Sequence, residues 1–346
     1  MTAGIKTSRR TFLHAAALGM AAAELSLLTP SMARAQTTGD AATPTGTLGA
    51  LKTIKAGVLN VGYHESGPAD GVPVVLLHGF PFDTNAYAEV APILAAKGCR
   101  VIVPYLRGFG ATRFIDAATP RSAQQTALGA DLLALLDALS IPKAVLAGYD
   151  WGGRAACAVA ALFPQRCIGL VSVNGYAVLD LTRSNIPATP ERELPAWYQF
   201  YFLTERGKAG YTKYRRETNK LLWNLWSPKW HFDDATFDRS APSFDNPDYI
   251  EVTIHSYRHR FNQAAGDPAY AQLDQRLATL PVITVPTITL DGADDAVVLP
   301  TDGKSYAARF PARKAHRIVP GAGHNLPQEA PRAFADAVLQ LLPEKG

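Results

Sequence analysis

The sequence predicts an α/β protein, with a mostly parallel central sheet flanked by helices and a helical cap inserted between two core strands. Three observations carry that expectation. From about residue 57, short wholly apolar runs alternate with segments of helical spacing. Runs that are apolar along their whole length suit strands covered on both faces, the condition of a parallel sheet between helical layers. The alternation breaks over residues 178–275, a segment of different composition that holds four of the five tryptophans. The chain has 346 residues, 47% of them hydrophobic, enough for one large domain with such an insertion.

The first residues are expected to lie outside the fold. The stretch SRRTFLHAAALGMAAAELSLLTPSMARAQ pairs Arg9 with Arg10, continues with a weakly apolar run and ends near Ala33-Arg34-Ala35. That is a charged end, an apolar region and a small-x-small cleavage site, the pattern of a twin-arginine export signal over residues 1–35. Glu24 inside a short, Ala-rich run argues against a stable membrane anchor. The expectation is an exported, periplasmic or secreted protein. Residues 36–50 are rich in Thr, Gly and Ala without periodicity and read as a flexible leader. Removing residues 1–35 takes away Lys6, Arg9, Arg10, Arg34 and Glu24, so the formal charge falls from +4 to +1. No basic run is left to suggest nucleic acid as a partner. Cys99, Cys157 and Cys167 have no metal-ligand spacing, and an odd number cannot pair completely within the chain.

The core is expected over residues 51–177 and 276–346. VLNVGYHES has strand character, and VPVVLLHG and CRVIVPYL are continuous apolar runs. SAQQTALGADLLALLDALSI follows at helical spacing. KAVLAGYD then enters a sharp turn that WGGRAACAVAALFP leaves as a helix, and CIGLVSVNGY is the next strand. After the insertion come PTITLDG, HRIVPG and a last helix, APRAFADAVLQLL.

The turn in LAGYDWGG has the Gly148-x-x-x-Gly152 spacing of a nucleophile elbow, with Asp150 where such turns usually carry Ser. Its partners follow in a telling order. LDGADDAV offers Asp294 and Asp295 after a strand, and the Gly292-x-x-Asp295 spacing favours the second. PGAGHNLPQEAP supplies His324 in a Gly-rich loop before the last helix. Upstream, LLHGFP places His78, Gly79, Phe80 and Pro81 just after a strand, where the Phe80 and Trp151 backbone N–H groups can serve as paired oxyanion-hole donors. Taken singly, Asp150 reads as an N-cap, His78 as a loop-fixing residue and the aspartates as turn residues. Together, in one order and at matching strand ends, they read as an enzyme site. A carboxylate, ionised at neutral pH, suits attack on saturated carbon, and the ester it forms needs a histidine-activated water.

From about residue 57 onward the chain resembles the α/β-hydrolase superfamily. Its Asp elbow resembles the branch that holds epoxide hydrolases and haloalkane or haloacetate dehalogenases. The resemblance implies an alkyl-enzyme ester on Asp150, cleaved by water that His324 activates under the orientation of Asp295, and it needs no cofactor. Two cap segments, PAWYQFYF and IHSYRHR, resemble those in which epoxide hydrolases carry ring-opening tyrosines. The resemblance therefore assigns that role to Tyr198 and Tyr257, with Tyr201, Tyr211 and Tyr249 as substitutes. His78, Arg154 and Tyr201 are expected to line the substrate pocket.

The dehalogenase pattern fits less well. Phe80 stands where haloalkane dehalogenases commonly carry a halide-binding Asn. Haloacetate dehalogenases match at Arg154 but have a second Arg at Trp151, and Gln199-Phe200 replaces their His-Trp halide pair. Tyr105 is a further departure, since related enzymes usually have Asp there. The expected reaction is opening of a small-molecule epoxide to a diol. A dehalogenase using the same Asp150, or a ligand-binding member without turnover, are the alternatives. An aromatic cap also offers a surface for a homodimer.

Overall fold

The computed structural model describes residues 48–344. The expected signal and most of the expected leader lie outside the described residues. Among the described residues the nine strands are β1 (Leu51–Ala56), β2 (Leu59–Ser66), β3 (Val72–Leu77), β4 (Cys99–Pro104), β5 (Arg113–Phe114), β6 (Ala144–Gly148), β7 (Cys167–Val173), β8 (Thr287–Gly292) and β9 (Arg313–Val319). They form one sheet in the order β1-β2-β4-β3-β6-β7-β8-β9, with β5 paired to β2. The pairs β1–β2 and β2–β4 are antiparallel, and every pair from β4 through β9 is parallel.

Burial follows the apolar runs. Every residue of β6 and β8 is buried, whereas the edge strands β1 and β9 are largely half-buried or exposed. Lys52 and Lys55 stand on one edge and Arg313, Lys314 and Arg317 on the other, charges that discourage pairing with another chain. Strand β1 escapes the apolar-run pattern for this reason. Strand β9 begins three residues before the HRIVPG run, again in charged sequence.

The sheet fixes where a site can form. After β3 the chain steps out to β4 and then returns to the other side of β3 as β6. At such a reversal the loops leaving neighbouring strands part, opening a crevice at their C-terminal ends. The loops after β3 and β6 hold His78–Phe80 and Tyr149–Asp150.

Between β7 and β8 the chain is helical. The principal cap helices are Trp197–Leu203, Glu205–Lys213, Arg215–Trp226, Asp234–Ser240 and Tyr249–Arg260. Thr204 and Asp233 cap two of them, accepting from Gly207 N–H and Thr236 N–H. The helix Ala271–Ala278 straddles residue 275 but packs on the core: Arg276 donates to the Leu162 carbonyl at 2.9 Å. The core therefore resumes before residue 276, because a helix cannot be divided between two packing layers.

Cap and core are tied through the loop after β3. Asp83 is buried and accepts from the Ser240 hydroxyl at 2.7 Å, the Ser243 hydroxyl at 2.6 Å and Asn85 N–H at 2.9 Å. Trp223 Nε1 donates to the Pro81 carbonyl at 2.8 Å. Cys99, Cys157 and Cys167 are buried free thiols. Among the described residues, no helix is long and apolar enough to cross a membrane.

Candidate active site

The chain turns from β6 into the helix Asp150–Leu162 with Asp150 at φ 47°, a left-handed conformation that non-glycine residues rarely adopt. Glycines on both sides make room for it. A Cβ at Gly148 would lie 2.7 Å from the Gly152 carbonyl carbon, and one at Gly79 would lie 2.8 Å from Asp150 Cβ. A Cβ at Gly152 would overlap the Leu77 carbonyl, so this position too must be bare for the turn to rest against β3. The Gly-x-x-x-Gly spacing is thus a steric requirement, and its product is a carboxylate held at the mouth of the sheet.

Asp150 Oδ1 accepts from Phe80 N–H at 2.9 Å. Its Oδ2 lies 3.4 Å from Arg154 Nη2, one helical turn on, and 3.9 Å from His324 Nε2. Of the two expected backbone donors, Phe80 N–H is the one that reaches this carboxylate. Trp151 N–H belongs to the first helical turn, where no intrahelical carbonyl claims it.

Behind His324, Nδ1 lies 2.8 Å from Asp295 Oδ2. Asp295 also accepts from Val297 and Val298 N–H on Oδ1, at 2.9 and 2.8 Å, and from Asn174 Nδ2 on Oδ2 at 3.1 Å. A carboxylate so supplied with donors is an acceptor only, so Nδ1 carries the imidazole proton and Nε2 presents a lone pair toward Asp150. Burial pushes the His324 pKa down. The charge and hydrogen bond of Asp295, with smaller help from Asp150 and Glu329, outweigh it and leave the ring more basic than an ordinary histidine. Asp294 pairs instead with Lys229 at 2.6 Å, so the Gly-x-x-Asp spacing singled out the residue that meets His324.

Three residues absent from the sequence reading complete this frame. Asn174 sits at φ 62° after β7, which swings its amide onto Asp295. Glu329 accepts from Gly323 N–H at 2.6 Å, Asn325 N–H at 2.9 Å and the Ser227 hydroxyl at 2.6 Å. Ser227 Oγ in turn accepts His324 N–H at 3.0 Å, so one cap residue and one core carboxylate bracket the histidine loop. The Asn174-Gly175 dipeptide was the one available signal, as a left-handed turn.

Over Asp150 lies a wall of aromatic rings. Phe80 stacks on Trp151 at 5.4 Å, and Tyr257 stands edge-on to Phe80 at 5.4 Å and to Tyr198 at 5.3 Å. Burial first, and then the Asp150 charge, push the Tyr198 phenol well above its ordinary pKa. For Tyr257, burial, the neighbouring Tyr198 and Asp150 act in the same direction. Both therefore hold their protons at neutral pH, near enough to Asp150 for its charge to act on them. The substitutes are otherwise engaged: the Tyr211 and Tyr249 hydroxyls lie 2.6 Å apart and both bond Asn219 at 2.8 Å. Trp151 Nε1 is buried without a hydrogen-bond partner.

Two pocket expectations need correction. His78 is wholly buried: Leu106 N–H donates to its Nε2 at 3.1 Å and its Nδ1 donates to the Gly79 carbonyl at 3.0 Å. With both nitrogens bound to backbone and burial holding its pKa at about 4, it fixes the loop after β3 as a neutral ring. Tyr201 packs inside the cap, its ring beside Trp197 and its hydroxyl against Gly210. Helical spacing put it one turn from Tyr198, but the bend at Thr204 folds the next helix over it. Tyr105 lies over Gly110 and 6.5 Å from the His78 ring.

The elbow, the acid–histidine pair and the strand order define a class, and a family model agrees. Residues 72–331 match the alpha/beta hydrolase fold family, and the chain belongs to it. A crystal structure from Klebsiella pneumoniae subsp. pneumoniae, provisionally named an epoxide hydrolase, is 50% identical to this chain. That similarity covers 84% of this chain and 96% of that one, with a TM-score of 0.82. Epoxide hydrolase B of Mycobacterium tuberculosis is 33% identical over 149 residues, 40% of this chain and 41% of the relative. A haloalkane dehalogenase of Mycobacterium marinum is 36% identical over 133 residues, 37% of this chain and 42% of that protein. These curated similarities thus span about two fifths of the relatives' own length.

Proposed function

We propose that the chain hydrolyses epoxides to diols without a cofactor, through an ester on Asp150. What supports this reading is that two protonated tyrosines, Tyr198 and Tyr257, feel the charge of Asp150, a carboxylate whose Oδ1 is already held by Phe80 N–H at 2.9 Å. In the first step Asp150 Oδ2 attacks an epoxide carbon. The C–O bond of the ring breaks, and its oxygen takes a proton from a tyrosine hydroxyl. A departing alkoxide needs that proton, and a carboxylate alone does not supply it.

Oδ1 becomes the ester carbonyl oxygen, already beside its N–H donor, ready for the charge that gathers there in the second step. His324 Nε2 takes a proton from water as the hydroxide adds to the ester carbonyl carbon. Collapse releases the diol and restores the carboxylate, and the proton on His324 returns to the tyrosine through solvent. Epoxide and water are consumed, and one diol is formed. Arg154, 3.4 Å from Oδ2, pairs with the attacking oxygen and keeps it in place.

The testing experiment freezes the cycle. With His324→Gln, alkylation proceeds and hydrolysis stops, so mass spectrometry should find the epoxide's mass added to the peptide containing Asp150. Turnover without an adduct would sink the two-step scheme. Trp151 Nε1 favours a second reading, because a buried, unpartnered N–H is a donor that a leaving halide would accept. Halide release from a haloalkane with no diol from any epoxide would replace the first reading with this one.

A further inference from the structure

Gln199, the residue after Tyr198, donates from Nε2 to the Tyr198 hydroxyl oxygen at 3.2 Å. Its Oε1 accepts from Arg260 Nη1 at 3.0 Å. A guanidinium has only donors, so this contact fixes which end of the Gln199 amide faces which partner. The amide N–H must then point at Tyr198, whose oxygen accepts it, and the phenolic proton is left to point elsewhere.

Arg260 is an unusual neighbour for such a site. It closes the last turn of the helix Tyr249–Arg260, three residues after Tyr257, with its guanidinium carbon 5.0 Å from the Tyr257 ring centroid. Nε and Nη2 are buried without hydrogen-bond partners. Among the described residues no carboxylate lies within ion-pair distance of it, whereas Arg154 has Asp150. Arg keeps its charge under all ordinary conditions, so the cation stays, only partly compensated.

We propose that Arg260, acting through Gln199, is a positioning residue for Tyr198: the pair keeps the phenol turned toward the substrate and steadies the negative charge that arrives on its oxygen. The inference rests on the reading of Tyr198 as a ring-opening donor. Before attack, the negative charge sits on Asp150 beside Arg154. As Oδ2 bonds to carbon and the ring oxygen takes the Tyr198 proton, Asp150 becomes a neutral ester and the charge appears on the Tyr198 oxygen. The Gln199 N–H, polarised by the guanidinium behind it, already points at the atom where that charge lands. The two arginines thus stand at the start and the end of one charge movement. The other groups facing Tyr198 are Tyr257, Asp150 and Arg154.

The test uses single-turnover alkylation of the full-length enzyme by styrene oxide, a neutral probe, read as the adduct on the Asp150 peptide. Arg260→Met should slow alkylation about 10- to 100-fold, the size of a charge-assisted hydrogen bond, with hydrolysis of the preformed ester unchanged. Arg260→Lys should recover part of the loss. Gln199→Glu separates positioning from packing. Its carboxylate pairs with Arg260 and should raise the melting temperature, yet it removes the N–H donor and draws the Tyr198 proton away from the substrate. Stability should rise while alkylation falls.

Both effects should vanish in a Tyr198→Phe background, as a double-mutant cycle requires of residues acting through one hydroxyl. If Tyr198→Phe alone opens the epoxide at wild-type rate, the reading of the tyrosine fails. If Tyr198→Phe is slow but Gln199→Glu and Arg260→Met alkylate normally, the relay is overturned and the tyrosine stands. If Arg260→Met leaves styrene oxide untouched and raises KM only for a carboxylate-bearing epoxide, Arg260 is an anion site instead.

Discussion

At the scale of the residue, Asp150 owes its position to side chains its neighbours lack, and its proposed chemistry to two phenols on the far wall. If Tyr198 and Tyr257 protonate the departing oxygen, Tyr→Phe at either position should slow alkylation by epoxide roughly 30- to 1000-fold, which is ~2–4 kcal/mol of transition-state stabilisation. The ring remains, so the melting temperature should hold; near wild-type ring opening by both single variants would discard the assignment. In the proposed mechanism His324 sets the acid side of the pH profile. Asp295 holds its pKa above the ordinary 6.5, and the base must be neutral to accept a proton from water. As pH falls through that raised pKa, hydrolysis should fail before alkylation and the Asp150 adduct should accumulate. With Asp295→Asn the raising charge goes and burial pushes the pKa down, so the limb should move to lower pH while the plateau drops on the order of 100-fold or more. An acid limb that stays put in that variant would assign it to another group. The grouping of Asp150, Asp295 and His324 was legible in the sequence because strand ends and turn glycines announce it. Asn174, Ser227 and Glu329 were not, because nothing local marks a residue whose partner is set by tertiary packing.

At the scale of the element, the cap behaves as part of the core loop that it covers. The sequence revealed the cap through its tryptophans and amphipathic pieces, but not its attachment, since Asp83 and Asn85 look like turn residues after HGFPF. The structure shows Asp83 taking hydroxyl donors from Ser240 and Ser243 in a buried contact. Asp83→Ala strands both serines and should cost roughly 2–4 kcal/mol, since buried donors left without an acceptor lose their full desolvation penalty. Equilibrium denaturation in urea would read it, and a change under about half a kcal/mol would mean that the serines find other partners. Strand β1 teaches a related lesson. Lys52, Thr53 and Lys55 hide it from any search for continuous apolar runs, yet it completes six residue pairs with β2.

At the scale of the whole molecule, most of the sheet and the order of the site were legible, because parallel strands and an elbow impose patterns a sequence must display. The domain boundary at 275 and the pocket roles of His78 and Tyr201 were not, since each depends on which layer a helix or ring packs against. Export is the expectation carried by the Arg9-Arg10 pair. We propose that the wild-type precursor is cleaved to a mature N-terminus at Gln36, and that replacing both arginines by lysine leaves it uncleaved inside the expressing cell. N-terminal sequencing of the fractions checks this, and normal processing of the double variant would exclude the twin-arginine route. The loop after β3 carries one more implication. Within four residues it presents the Phe80 donor to Asp150, receives Trp223 at Pro81 and fastens the cap at Asp83. Swinging the cap away would pull on the same tetrapeptide that holds the Phe80 N–H against Asp150. If the proposed function holds, ligands should exchange by movements of side chains within the cap, while Asp150 and its partners stay assembled.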